Sequence, residues 1–469
     1  MLYGSMKVAP DIERQKAAEH IERCECDLCR FHNPVEVPAH LLQAIKSGDV
    51  VVFAGAGVST ERKSVDGPSF YRQVAYDLGI STEQGPDFPS LMQSLVEQPD
   101  GRLRLIRKIR GHFDHIEFFP KLLREATEFH QELSTLFSIQ DIITTNWDLY
   151  FERFCHATPF VTSQDATYWE AAQRRVLKIH GSIDNFSTIV ASTADYREAH
   201  DRLSRDLIGS RLKVLLSTKN ILFAGYSLTD SDFQQVYEFV QEQIGPFAKQ
   251  AYAITVDTSE DTAHRLSALN IQPIYCDAAH FLRLVKNELI GWKCWLSDEA
   301  YENVSDMWWK VQSTWSRLHD EIDIRVHPIA VMSLSYLDGV KHGLELIEEK
   351  KRTGEYSHRC VVIEKLRAYE RLISEKRKAK MYADTAYLEG FLNAIIFWLS
   401  LGEEDIEEPD FPLFFFFGRG EAIESVEQFL EELPTFNVRH KGASIEAIRL
   451  AKSLPEHGDK LHWYHKCQI

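Results

Sequence analysis

An α/β fold built on a parallel sheet with helical crossovers is what the sequence predicts for residues 39–290, and two observations predict it. Short, continuous apolar runs at residues 50–54, 141–145, 176–179, 221–224 and 252–256, with 273–275 last, alternate with segments of helix length. Runs without polar alternation belong to strands covered on both faces, and crossover helices supply that cover in a parallel sheet. The second observation is punctuation: three of the runs lead into a glycine and a hydroxyl residue, the strand–turn–helix entry of a phosphate-binding unit.

Taken in order, residues 1–38 form a polar N-terminal arm bearing Cys24, Cys26, Cys29 and His32 and ending at Pro34 and Pro38. Thiolates and imidazole are suitable zinc ligands, but this spacing is tighter than pairs separated by a long loop, so a cysteine-bearing arm or an intersubunit contact is expected in place of a metal site. The opening residues lack an apolar stretch behind a positive start, so no secretory signal is expected. A short helix then leads to the strand at 50–54, and residues 69–140 read as a long helical insertion. It carries the basic run Arg102, Arg104, Arg107, Lys108 and Arg110, read as a solvated helix face. After residue 291 the texture changes. Trp292, Trp295, Trp308, Trp309 and Trp315 crowd a helical segment, residues 359–400 read as one or two long helices with Phe391, Ile395 and Leu399 on an apolar face, and residues 403–410 form an acidic linker before the apolar run at 413–417. Residues 291–469 are therefore expected to be a mostly helical C-terminal domain.

Composition narrows the function classes. The chain of 469 residues has 53 basic against 70 acidic side chains, a formal charge of −17, which argues against a protein that coats nucleic acid. No apolar stretch approaches the roughly 20 residues of a spanning helix, so no membrane association is expected. Eight cysteines, five of them scattered at Cys155, Cys276, Cys294, Cys360 and Cys467, suit reduced thiols in the cytoplasm better than a disulfide framework.

Four motifs carry chemistry, each at an expected strand end. Gly55-Ala56-Gly57-Val58-Ser59 allows close approach of backbone to a pyrophosphate at a helix start. Thr144-Thr145-Asn146-Trp147-Asp148 places two polar side chains where open α/β sheets bind ligands, although Asp148 would equally cap the helix that follows. Lys178-Ile179-His180-Gly181-Ser182 puts an imidazole where a general base is useful, 34 positions after Asn146. Gly225-Tyr226-Ser227, followed by Asp230, is a second glycine turn, where acidic residues would also suit the first turn of a helix.

In this order the motifs resemble the SIR2 family, in particular its SIR2-like branch of prokaryotic antiviral defence proteins, over residues 39–290. The resemblance implies a Rossmann-like domain with NAD as substrate and no required metal. It implies that Gly55, Ala56, Gly57 and Ser59 cradle the phosphates, that Asn146 and Asp148 face the nicotinamide ribose with Thr145 also on the cofactor, and that His180 is the base. Gly225, Ser227 and Asp230 would close the far side, and Asp257 lies where the family often contacts the adenosine ribose. Two departures shape the functional expectation. Where sirtuin deacylases have a GIPDFR-like segment this chain has Gly67-Pro68-Ser69-Phe70-Tyr71-Arg72, and the two C-x-x-C pairs of their zinc module are missing between Gly181 and Gly225. Hydrolysis of NAD+ to nicotinamide and ADP-ribose is thus expected ahead of peptide deacylation, with Asn146 and His180 catalytic. A non-catalytic NAD-binding subunit is a further alternative. The same resemblance implies NAD+ depletion in abortive infection, control by a homo-oligomer, and a partner such as a HerA-like ring ATPase or a short Argonaute-type protein.

Overall fold

The computed structural model describes residues 35–62, 65, 67–82, 85–227, 231–401 and 425–453. The cluster Cys24, Cys26, Cys29 and His32, the acidic linker at 403–410, the run at 413–417 and Asp230 lie outside these residues. The chain divides into two compact units, with the boundary between Glu288 and Leu289.

In the first unit, helix α1 (Ala39–Lys46) precedes a seven-stranded sheet. Its strands are β1 (Val50–Ala54), β2 (Asp141–Thr144), β3 (Thr158–Phe160), β4 (Arg175–Lys178), β5 (Asn220–Ala224), β6 (Ala251–Thr255) and β7 (Ile271–Tyr275). They run parallel throughout, in the order β3-β4-β2-β1-β5-β6-β7. Every residue of β1 and β5 is buried, which is why those strands read as unbroken apolar runs. The α/β expectation holds, and the six anticipated strands are present. Strand β3 was not anticipated: it has three residues, one of them Pro159, and pairs only with β4 at the sheet edge, where proline is tolerated.

The insertion between β1 and β2 contains four helices, α2 (Phe70–Leu78), α3 (Phe88–Val96), α4 (Gly101–Phe118) and α5 (Pro120–Thr135). Val74, Leu91, Leu95, Leu105 and Ile109 join α2, α3 and α4 in a hydrophobic cluster apart from the one on the sheet, while Ala126 of α5 packs in a smaller cluster with Ile116 and Tyr150. Within the basic run of α4, Arg102 pairs with Asp195 at 2.7 Å and Lys108 pairs with Asp77. The remaining helices of this unit are α6 (Tyr150–Cys155), α7 (Thr193–Arg205), α8 (Leu207–Thr218), α9 (Ser231–Ile244), α10 (Glu260–Ala268) and α11 (Ala278–Gly291), the last spanning the boundary.

The second unit is helical, with α12 (Ala300–Glu321), α13 (Ala330–Glu349), α14 (Arg359–Lys378), α15 (Tyr382–Ser400), α16 (Val426–Arg439) and α17 (Lys441–Lys452). Helix α13 is buried on nearly every side and packs closest against α15. The close approach is set by small residues: a Cβ on Gly339 would fall 1.9 Å from the Tyr387 carbonyl oxygen, and one on Gly390 2.0 Å from that of Tyr336. Trp295 and Trp315 are buried, whereas Trp309 is 63% exposed. Among the described residues no helix is long and apolar enough to cross a membrane, and Cys155, Cys276, Cys294 and Cys360 are free thiols.

Candidate active site

Strand order determines where a site can form. From β1 the chain proceeds to β2, β3 and β4 on one side of the sheet, then returns to β5 on the other flank of β1. The loops leaving the C-terminal ends of β1 and β5 therefore turn in opposite directions and leave a crevice. The two loops hold each other: Gly55 N–H donates to the Ala224 carbonyl at 3.0 Å and Gly57 N–H to that of Gly225 at 2.9 Å. Gly225 sits at φ +57°, and a Cβ there would meet the Val58 nitrogen at 2.3 Å, so only glycine fits.

A cavity of about 650 Å³ opens beside this contact. Its lining brings together Ala56, Gly57, Thr145, Asn146, Asp148, His180, Gly225 and Ser227, eight of the residues singled out from sequence. Gly55 and Ser59 lie outside this lining. Ser59 is fully buried, its hydroxyl donating to Asp148 Oδ2 at 3.2 Å and accepting from Asn146 Nδ2 at 3.2 Å. It is a support for the polar pair. Asp257 is also elsewhere, its carboxylate accepting from Ser259 N–H and the Thr262 hydroxyl. In the glycine turn, the amides of Val58 and Ser59 are closed onto Gly55 and Ala56 carbonyls. Among the described residues, the amides of Ala56 and Thr60, both in the lining, are left without a partner.

Asn146 is fixed in one orientation. Its Nδ2 donates to the Gly55 carbonyl at 3.2 Å, and a carbonyl can only accept, so Oδ1 is the atom left over. That Oδ1 is buried with no partner in the protein. Its backbone amide is held by Thr144 Oγ1 at 3.0 Å, and that hydroxyl donates to the Ala54 carbonyl of β1. Asp148 does two jobs: Oδ1 accepts the N–H of Tyr150, the first residue of α6, at 3.0 Å, while Oδ2 receives Ser59. Burial pushes its carboxyl up to about 6, against the pull of Lys178 and the Tyr150 amide. Lys178 is fully buried, and its ammonium donates to the Asp148 carbonyl and to Glu152 Oε1. Because Lys178 ends β4 and His180 follows two residues later, this contact ties the histidine-bearing strand end to the Asn146–Asp148 loop. His180 is buried and meets Tyr196 edge-on, ring centroids 5.0 Å apart.

Sequence reasoning missed the rest of the lining. Phe70, Phe88, Trp147 and His112 form an aromatic end, with Phe70 centred 6.4 Å from Phe88, 6.0 Å from Trp147 and 5.6 Å from His112. The GPSFYR departure already flagged the segment holding Phe70, but nothing in the periodicity of α4 marks His112. Burial also raises the Glu61 carboxyl, although that side chain accepts Phe70 N–H at 2.8 Å. Behind the loop, Arg62 pairs with Asp277 at 3.1 Å and with Glu128, anchoring the segment after the glycine turn. The described lining contains the carboxylates Glu61, Asp87 and Asp148 and no lysine or arginine. Among the described residues no group of three or more His, Cys, Asp or Glu side chains is gathered to hold a metal ion.

A parallel α/β sheet carries an asparagine, an aspartate and a histidine that converge on a glycine-walled crevice at its switch point, the place where ligands bind in open α/β sheets. Residues 140–274 match the model of the SIR2-like domain. It is 31% identical over 200 residues to the NAD(+) hydrolase ThsA of Enterococcus faecium, covering 41% of this chain and 40% of that protein. Similarity to the NAD(+) hydrolase ThsA of Cytobacillus dafuensis is 26% over 217 residues, covering 45% and 42%. To the defense-associated sirtuin 2 of Bacillus subtilis it is 24% over 249 residues, covering 50% and 23%. The chain thus spans less than half the length of these relatives.

Proposed function

We propose that the cavity binds NAD+ and that the chain hydrolyses it to nicotinamide and ADP-ribose. The observation that carries this reading is the convergence of Asn146 and His180 on one cavity with the two glycine turns, together with an Asn146 Oδ1 that lacks any partner in the protein. Ala56 and Thr60 amides and the Ser227 hydroxyl suit the pyrophosphate, which needs donors and finds no cationic side chain in the described lining. The similarity to NAD(+) hydrolases supports the same substrate.

Chemically the task is modest. The pyridinium is already a good leaving group, so the bond from C1′ of the ribose to the ring nitrogen breaks with its electron pair passing to that nitrogen. Nicotinamide departs neutral, and an oxocarbenium-like centre remains. Asn146 Oδ1 accepts a hydrogen bond from the attacking water or a ribose hydroxyl and so orients it. The water oxygen bonds to C1′, and His180 takes the proton released. Asp148, fixed by Ser59 and Tyr150, adds negative charge beside the developing cation.

We further infer a role in antiviral defence, in line with the name of the Bacillus subtilis relative, exerted by NAD+ depletion that leads to abortive infection. Such an enzyme needs restraint, so activation through self-assembly or a defence partner in the cytoplasm goes with this reading. Nicotinamide release from NAD+ by the purified chain, across protein concentrations, tests both parts. Asn146→Ala is expected to lower release by about a hundredfold or more while NAD+ affinity changes far less. Undiminished release in Asn146→Ala would sink the assignment, and NAD+ binding without release at any concentration would favour a non-catalytic binding subunit.

A further inference from the structure

We propose that His112 reads the carboxamide of the nicotinamide ring, donating its Nε2–H to the carboxamide oxygen. The inference rests on the reading that the cavity takes NAD+. It begins with an unexplained atom: His112 is 8% exposed, lines the cavity, and its Nε2 is buried with no hydrogen-bond partner in the protein. A buried polar nitrogen without a partner is costly, and a ligand group is the natural way to satisfy it.

The proton on this ring can be located from its neighbours. Gln73 Nε2 lies 2.9 Å from the Pro68 carbonyl oxygen, which can only accept, so the amide nitrogen of Gln73 is assigned without ambiguity. The same nitrogen lies 3.0 Å from His112 Nδ1. A donor amide facing Nδ1 makes Nδ1 the acceptor, and a neutral imidazole then carries its hydrogen on Nε2. The ring is neutral because burial, with some help from His115, pushes it down to about 4. A ring that lines the cavity therefore holds an uncharged donor, buried at its wall.

Its surroundings say what it meets. The ring packs against Phe70, which also contacts Phe88 and Trp147, so the donor sits at the rim of an aromatic box. Trp147 follows Asn146 directly, which puts the box at the reacting end of the cavity. Aromatic faces attract a flat pyridinium cation, and an uncharged imidazole does not repel it. A charged pyrophosphate has no counterpart there, since the nearby lining carries Glu61 and Asp87.

The test is a substrate series on the full chain. NAD+ and its 3-acetylpyridine analogue both keep the carbonyl oxygen, whereas the thionicotinamide analogue replaces it with sulfur, a weak acceptor. We measure kcat/KM for all three, and affinities alongside, in wild type, His112→Phe and His112→Gln. The preference for NAD+ over the thio analogue is expected to fall about tenfold in His112→Phe, which keeps an aromatic ring but loses the donor. His112→Gln, which keeps a donor, is expected to restore most of it, and the ratio of NAD+ to the acetylpyridine analogue should stay constant throughout. Nitrogen-15 NMR of the unliganded protein, with His112→Phe used to assign the signal, should find the proton on Nε2. An unchanged thio preference in His112→Phe overturns the assignment, as does a proton on Nδ1. A wild-type protein that neither binds nor cleaves NAD+ overturns the functional reading itself and this assignment with it, a result distinct from either of those.

Discussion

Asp148 joins two duties with opposite demands on its proton. As the acceptor for Ser59 and Tyr150 it is best ionised, yet burial raises it from 3.8 to about 6. Between those two values the folded chain holds a proton that the unfolded chain has lost. The contribution of this group to stability therefore falls as pH climbs through that window, and the cost of the buried charge is complete above it. A rise of this size corresponds to a cost on the order of 3 kcal/mol. Asp148→Asn is accordingly expected to gain thermal stability over wild type above pH 6 and to show little difference near pH 4, while losing activity. Paired melting curves from pH 4 to 8 would reveal the divergence, and parallel curves would mean that Asp148 ionises without penalty. Ser59 makes the complementary point about reading a motif. Its residue type and place beside the glycines suit a phosphate contact, but a sequence cannot show which side of a turn faces the cavity, and here the hydroxyl turns inward to Asn146 and Asp148.

At the level of elements, the active crevice is made by two loops in backbone contact. Gly225→Ala places a methyl 2.3 Å from the Val58 nitrogen at a positive φ, so the β1 and β5 loops must part. We expect NAD+ affinity to fall more than tenfold and the first unit to lose about 1–3 kcal/mol. Gly111→Ala in α4 is the contrast: its added Cβ meets nothing within 4 Å in an exposed helix interior, and a gain of about 0.5–1 kcal/mol is expected from helix propensity alone. Calorimetry on both variants separates a glycine required by contact from one that is merely tolerated. Much of this level was legible in the residues, because strands buried on both faces appear as unbroken apolar runs and their C-terminal ends carry the motifs. The aromatic end of the cavity was not legible. His112 lies in an ordinary amphipathic helix, and Gln73, which sets its tautomer, comes from a different helix 39 positions earlier. Strand β3 escaped for a related reason, since three residues with a proline carry too little pattern.

For the whole molecule, the division at Glu288 and Leu289 separates a sheet-based unit holding the entire described cavity from a helical unit. If NAD+ binds as proposed, it should raise the melting midpoint of the first unit alone, by the equivalent of about 2.7 kcal/mol at a hundred times its Kd. A ligand-induced rise in both transitions would show that the units unfold together. The helicity of the described residues of the second unit was readable from sequence, whereas the glycine-set approach of α13 and α15 was not, because it depends on which residues of two helices face each other. The acidic lining of the cavity has its own consequence for how a dinucleotide reaches it. With no lysine or arginine in the described lining, and a chain charge of −17, association draws little on long-range attraction of opposite charges. Ions in solution then have no attraction to screen. If NAD+ binds as proposed, salt screens only the repulsion between an acidic cavity and an anionic dinucleotide, so recognition by backbone amides, aromatic faces and neutral donors should proceed at least as well in brine as in dilute buffer.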